Sequence, residues 1–292
     1  MHSIANYFGH IPSSQRSLIL GGGLLLFWML EGVVPLVRFR RSWGRHAGLN
    51  LFFTLTTIIV NFAFASLIIR TADYCTEHHF GLLYLVPLPF WLFTLAGLMI
   101  LDLIGAWFIH WMHHKVKGLW QLHLVHHSDS WVDTTTANRH HPGESFFRAA
   151  FTLIAVAVAG APAWLVLLYQ SLSVLLSQFN HANISLPKWL DRALASIIVS
   201  PDMHKVHHHH RRPLTDTNYG NIFSFWDRLF GTYASVKDTG SLHYGIDTHP
   251  LEKENNRLGP LLGMPFRPYR PPTSEEGAAG SQGPSPSSAP RS

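Results

Sequence analysis

The chain has 292 residues, 47% hydrophobic and 13% aromatic, and its 13% charged share is about half that of a soluble domain, which excludes an ordinary water-soluble globule and points to a membrane protein. The net charge of +5 sits mostly in short arginine clusters beside apolar runs, favouring a membrane surface over nucleic acid as the anionic neighbour. A single cysteine, Cys75, excludes an internal disulfide and a cysteine-held zinc or iron–sulfur site, so any metal must rest on nitrogen and oxygen.

Residues 1–17 form a polar lead. Leu18–Val37, apolar except for Glu31, can just cross a hydrocarbon core of roughly 30 Å and is read as a retained anchor, not a cleaved signal peptide. Arg38, Arg40, Arg41 and Arg45 follow, and four arginines in one short loop mark the cytoplasmic side. Leu49–Ile69 then crosses outward, and the Thr71–Gly81 loop carries Asp73 and Glu77 but no Lys or Arg. Leu82–Ile104 returns, with Pro87 and Pro89 near its start and Asp102 near its end. The run from Phe146 to Phe179, with Gly160-Ala161-Pro162 near its centre, reads as a helical hairpin that dips into the bilayer and comes back. From Leu186 the chain is mixed, with an aromatic segment at Asn218–Tyr233, and from about Pro271 its Pro, Ser, Gly and Ala content predicts a disordered tail.

The histidines begin where the third span ends. His110 and His114 stand four apart; His123, His126 and His127 follow in an HxxHH pattern that recurs at His204, His207 and His208. On a helix, positions i, i+3 and i+4 share a face, so each group can aim its imidazoles at one point. Neutral imidazole is the commonest side-chain ligand for iron, zinc, copper and nickel, and eight rings exceed the needs of one ion, so two metals are expected. The even number of crossings in the hairpin predicts that both halves of the site meet on one side of the membrane. His113, His209 and His210 are expected to play solvated or outer roles, while His141, and after it His140, stay open as further ligands. Asp102, Asp129, Asp202, Asp216, Asn180 and Asn218 are candidates to orient ligating imidazoles from behind, with helix capping the alternative for Asp129 and Asp202.

The order Asp102, His110-x3-His114, Leu119-Trp120-x2-His123-x2-His126-His127-Ser128, Arg139-x-His141-Pro142, His181-x-Asn183, His204-x2-His207-His208, Asn218-Tyr219-Gly220 and Trp226 to Tyr233 resembles the fatty acid hydroxylase and sterol desaturase superfamily of membrane di-iron enzymes, over residues 95–235. The resemblance implies two non-haem irons held by His110, His114, His123, His126, His127, His204, His207 and His208, with His181 added as a ninth ligand. It also implies dioxygen and external electrons as co-substrates and a lipid hydroxylated or desaturated at an unactivated carbon. Lys115 stands where several relatives carry an acid.

The expected architecture is an all-α integral-membrane bundle, of four spans or three plus a hairpin, bearing a cytosolic histidine-rich helical cap. Its parts are N-terminal membrane helices (1–94), a catalytic domain (95–235) containing the hairpin (146–179), a cytosolic segment (236–270) and the tail (271–292). The expected partners are the bilayer, a lipid substrate and a separate reductase, ferredoxin or cytochrome b5-like donor, because the chain has no flavin or nicotinamide fingerprint. The competing reading is a zinc hydrolase or a metal transporter; against it, the motifs hold no carboxylate and the spans hold only Glu31 and Asp102.

Overall fold

Prolines and caps, more than hydropathy, set the helix ends. The computed structural model describes residues 2–38 and 43–271; Arg40, Arg41 and the tail beyond Pro271 lie outside the described residues. A short helix α1 (His2–Gly9) precedes α2 (Ser13–Val33), which starts after Pro12 and stops before Pro35. Helix α3 (Trp43–Glu77) outruns the expected Leu49–Ile69 at both ends, since no proline interrupts its flanks. The third span starts later than its hydropathy suggests, because Pro87 and Pro89 delay the helix to Phe90. From there α4 (Phe90–Asp102), a π-helical turn (Leu103–Phe108) and α5 (Ile109–Lys115) form one rod. Its 26 residues extend roughly 39 Å, more than the hydrocarbon core needs, so its last turns carry His110 and His114 toward the interface.

After α6 (Lys117–His127), the expected hairpin proves to be two full helices, α7 (Pro142–Ala159) and α8 (Ala163–His181). Polar residues at both outer ends continue the apolar runs. The turn between them needs Gly160, whose φ of 72° is left-handed and whose added Cβ would lie 2.2 Å from the Phe80 carbonyl oxygen. Short helices complete the chain: α9 (Lys188–Leu194), α10 (Pro201–His207), α11 (Phe225–Leu229), α12 (Glu252–Asn255) and α13 (Leu258–Gly263). Among the described residues there are no strands, only isolated bridges.

Four segments are long and apolar enough to cross a membrane: Ser13–Val33, Gly44–Tyr84, Phe90–Lys115 and Pro142–Ala159. The protein is an all-helical integral-membrane bundle. Lipid tails are as apolar as leucine, so helix association relies on close packing more than on water exclusion. Accordingly Ala155, Ala159, Ala161 and Ala72 sit fully buried among Leu101, Leu165 and Val166 where α3, α4, α7 and α8 meet.

The polar ends gather at one end of the bundle. The Glu31 carboxylate at the end of α2 accepts the Thr134 and Asn183 amides at 2.7 and 2.8 Å. Near the start of α3, Asn50 donates to Asp129 and Thr135, and the fully buried Arg139 donates to Asn50 and to the Val125 carbonyl. These bonds fix the 128–141 connection beneath the ends of α5, α6, α7 and α8.

Candidate metal centre

Four helices deliver nine imidazoles to that end. Helix α5 brings His110 and His114, α6 brings His123, His126 and His127, and the last residue of α8 is His181. Helix α10, started by Pro201 and by the Ser200 hydroxyl accepting the Met203 amide, brings His204 and His207, with His208 just past its end. None of the nine is more than 5% exposed. Ring nitrogens lie within 4.8 Å of one another in two groups: His110, His114, His123, His127 and His207, and His126, His181, His204 and His208.

The outward hydrogen bonds of these rings fix what faces inward. The Nδ1–H of His110 donates to the Tyr219 carbonyl at 2.9 Å, that of His207 to the Thr217 carbonyl at 2.6 Å and that of His181 to the Ser177 carbonyl at 2.7 Å. His123 Nδ1–H donates to the Glu144 carboxylate at 2.8 Å. A neutral ring whose Nδ1 holds the proton offers a lone pair at Nε2. Yet His110 Nε2 and His123 Nε2 stand 3.1 Å apart, two lone pairs face to face between buried rings. Similar approaches join His181 to His126 and to His204, at 3.2 and 3.1 Å. Further buried ring nitrogens, including His114 Nε2, His207 Nε2 and both nitrogens of His127 and His208, have no hydrogen-bond partner. A cation in each group would take up one lone pair from each ring and relieve these close approaches, so the residues fit a metal pair.

Electrostatics keeps the rings neutral. Burial, reinforced by neighbouring imidazoles, holds His123, His126, His127, His204 and His208 well below the ordinary histidine range. Burial likewise pushes His207 down to about 4, although its bond to the Thr217 carbonyl works the other way. Between two of the rings in sequence, Lys205 is fully buried and donates to the carbonyls of Val132 and His181; burial pulls its ammonium down to about 8 against Glu31 and Asp133.

Of the six outer candidates, Asp216 alone approaches one of the nine rings, its Oδ1 lying 3.7 Å from His114 Nδ1. Asp129 instead accepts from His46, Asn50 and Thr136; although burial opposes its ionisation, His46 and Arg139 hold it well below the carboxylate range. Asp102 accepts the Ile222 and Phe223 amides and the Trp226 indole, and Asp202 pairs with Lys188 and Thr239. Asn218 caps Met203 and Ala234, and Asn180 bonds Asn221.

Sequence reasoning missed Glu144, the carboxylate behind His123. Its spacing to Arg148 reads as an exposed i,i+4 pair, and nothing local reveals that its side chain is fully buried. His113, expected in a solvated or outer role, is fully buried, stacks on His123 and groups with Glu144. His140 packs on His126, whereas His141 turns away to cap Gly143 and reach the Leu262 carbonyl. His209 and His210 are half-buried outside the clusters.

The aromatic segment has a structural task here. Asp227 accepts the Tyr219 and Gly220 amides, the Trp107 indole and the Thr232 hydroxyl, thereby fixing the Tyr219 carbonyl that holds His110.

A family model described as fatty acid hydroxylase matches residues 94–232. An ornithine lipid hydroxylase of Rhizobium tropici is 27% identical over 143 residues, covering 49% of this chain and 38% of that protein. An alkylglycerol monooxygenase of Danio rerio is 29% identical over 153 residues, covering 51% and 31%. A very-long-chain aldehyde decarbonylase of Oryza sativa subsp. japonica is 26% identical over 156 residues, covering 52% and 58%. The chain thus spans less than two thirds of each relative's length. No solved structure matches.

Proposed function

We propose that this membrane protein, whose residues 94–232 match the fatty acid hydroxylase family model, is an oxygen-dependent hydroxylase of a lipid C–H position, with two non-haem irons. The irons are assigned to His110, His114, His123, His127 and His207 on one side and His126, His181, His204 and His208 on the other. Relatives named as lipid hydroxylase and monooxygenase support an oxidoreductase acting on lipid, and favour hydroxylation over desaturation. The names of those relatives also favour a polar-headed acyl or alkyl lipid as substrate. The observation that carries the reading is the facing pair of buried Nε2 lone pairs on His110 and His123.

Iron supplies the one-electron chemistry with dioxygen that an unactivated C–H bond requires and that zinc lacks. The chain does the rest. Glu144 and the Tyr219, Thr217 and Ser177 carbonyls hold Nδ1 protons outward and so aim four rings. Burial keeps water away from the reacting carbon, and a lipid enters sideways from the bilayer with its head group at the interface. One oxygen atom enters the lipid and the other leaves as water, with two protons from solvent and two electrons from a separate reductase, ferredoxin or cytochrome b5-like donor.

We place the cluster on the cytoplasmic side, since Arg38 and Arg45 flank the α2–α3 connection at the same end of the bundle. The catalytic unit 95–235 draws on the 1–94 helices through Glu31 and Asn50 and on the 236–270 segment through the Asn255 carbonyl, which accepts from Arg139.

Metal analysis of protein made in iron-supplied, zinc-poor medium tests the reading. About two irons per chain and no haem is the expected result. Lipids from a deletion strain should lack a species one oxygen atom heavier than its precursor. Iron-free or haem-bearing protein, or unchanged lipids, would overturn it.

A further inference from the structure

Asp216 links the protein surface to the five-histidine group. Its side chain is 21% exposed, and its Oδ1 accepts the Tyr219 hydroxyl at 2.8 Å and lies 3.7 Å from His114 Nδ1. Tyr219 is fully buried, with its ring centroid 5.7, 5.1 and 5.8 Å from those of His110, His114 and His207. One carboxylate and one phenol therefore connect the surface to three rings of the five-histidine group.

Cations surround that point. Lys115 donates to Asp216 Oδ2 and lies 5.9 Å from the Tyr219 ring. Lys117 is exposed two residues further on, over the Tyr269 ring. Arg211 and Arg212 lead into the Leu214–Asp216 turn, and the exposed Arg212 is near enough to act on the Tyr219 phenol. Lys115 thus occupies the position that departs from the acidic pattern, and it belongs to a positive collar.

We propose that this face is where reducing electrons enter, from a separate one-electron donor with an acidic docking surface. The inference rests on the oxygenase reading, which alone requires external electrons. Electron transfer slows steeply with separation, so entry belongs where a donor comes nearest the metal-binding rings. A positive collar there raises the encounter rate of an anionic donor and orients it. Each docking oxidises the donor by one electron and reduces one ferric ion; two dockings supply the pair, and no bond forms or breaks. Anionic lipid would also suit cations, but these ones surround the carboxylate that touches His114.

The test uses iron-loaded full-length protein in zwitterionic nanodiscs and follows bleaching of the ferric absorbance by stopped flow, not turnover. Dithionite, acting through its sulfur dioxide radical anion, and reduced methyl viologen, a radical cation, serve as probes of opposite charge. K117E/R212E should slow the anion on the order of tenfold at low salt and quicken the cation, with both differences fading at high salt. R192E/K237E, with Arg192 on α9 and both residues exposed, should leave both rates unchanged. Rates that stay the same, that move together for both reductants, or that shift equally in the R192E/K237E variant overturn the proposal. So does a loss of binding to phosphatidylglycerol vesicles with unchanged reduction rates, which assigns the collar to lipid. Iron-free wild-type protein would instead mean that the oxygenase reading itself had failed.

Discussion

Replacing Glu144 by alanine should loosen one metal ion and spare the other. The Glu144 carboxylate accepts His123 Nδ1–H at 2.8 Å with both side chains fully buried, and it also accepts from Arg148 at 2.9 Å. Without it, the His123 Nδ1–H is a buried unmet donor, costing about 1–3 kcal/mol unless the ring turns its Nε2 away from the cluster. Loss of the group behind a ligating imidazole weakens metal binding about 10–100-fold, or roughly 1.4–2.7 kcal/mol, so the two estimates agree. His123 belongs to the five-histidine group, while the group of His126, His181, His204 and His208 has no bond to Glu144. Dialysis against graded chelator followed by elemental analysis should therefore find a window in which E144A keeps about one ion where the wild type keeps about two. E144Q, which keeps an oxygen acceptor but not the charge, should fall between them. Equal loss of both ions from folded protein, or unchanged retention of both, refutes the assignment.

The metal-free protein should lose stability in acid. His207, pushed down to about 4, and the more strongly depressed His123, His126, His127, His204 and His208 bind fewer protons folded than unfolded. Stability is thus complete above the unfolded histidine value of 6.5 and falls as pH drops from there toward 4; a thermal midpoint that rises on acidification contradicts this. D227N places an amide among four donors and should cost about 2 kcal/mol of stability while weakening the ion held through His110, read by melting and chelator titration. G160A should cost about 1–3 kcal/mol from its left-handed backbone and its contact with the Phe80 carbonyl. Because that turn lies at the opposite end of the bundle, metal content of the folded fraction should stay at the wild-type level.

What the sequence reveals here is what repeats locally. The i, i+3, i+4 spacing at His123, His126 and His127 and at His204, His207 and His208 is a property of one helical face, and it survives any tertiary context that keeps the helix. Membrane spans are legible for a similar reason, since lipid demands long apolar helices. Span ends are less legible: α3 runs through Arg45–Gly48 and Arg70–Glu77 because helix formation there depends on the absence of proline, not on hydropathy. Long-range partners are hidden. Glu144 meets His123 across 21 residues, Asp129 meets His46 across 83, and the Tyr219 carbonyl meets His110 across 109. The sequence leaves His113 open to a solvated or an outer role, because its neighbours at i+1 and i−3 supply the site; Glu144 on α7 closes over that face.

The acids that an apolar chain tolerates explain how bundle and centre become one unit. An unpaired polar group in a membrane interior is costly, so each must find donors, and here the donors come from the cap. Glu31 takes amides from the 134 and 183 segments, Asp102 takes the 222–226 turn, and Glu144 takes His123 itself. Each bond that relieves a buried carboxylate also sets the height of a cap segment relative to a membrane helix. Lys205 closes the circuit by bonding the carbonyl of His181 between two helices that each supply ligand candidates. Helix packing and ring placement therefore depend on the same contacts, and a substitution that lets α2, α4 or α7 slide would move the imidazoles with it.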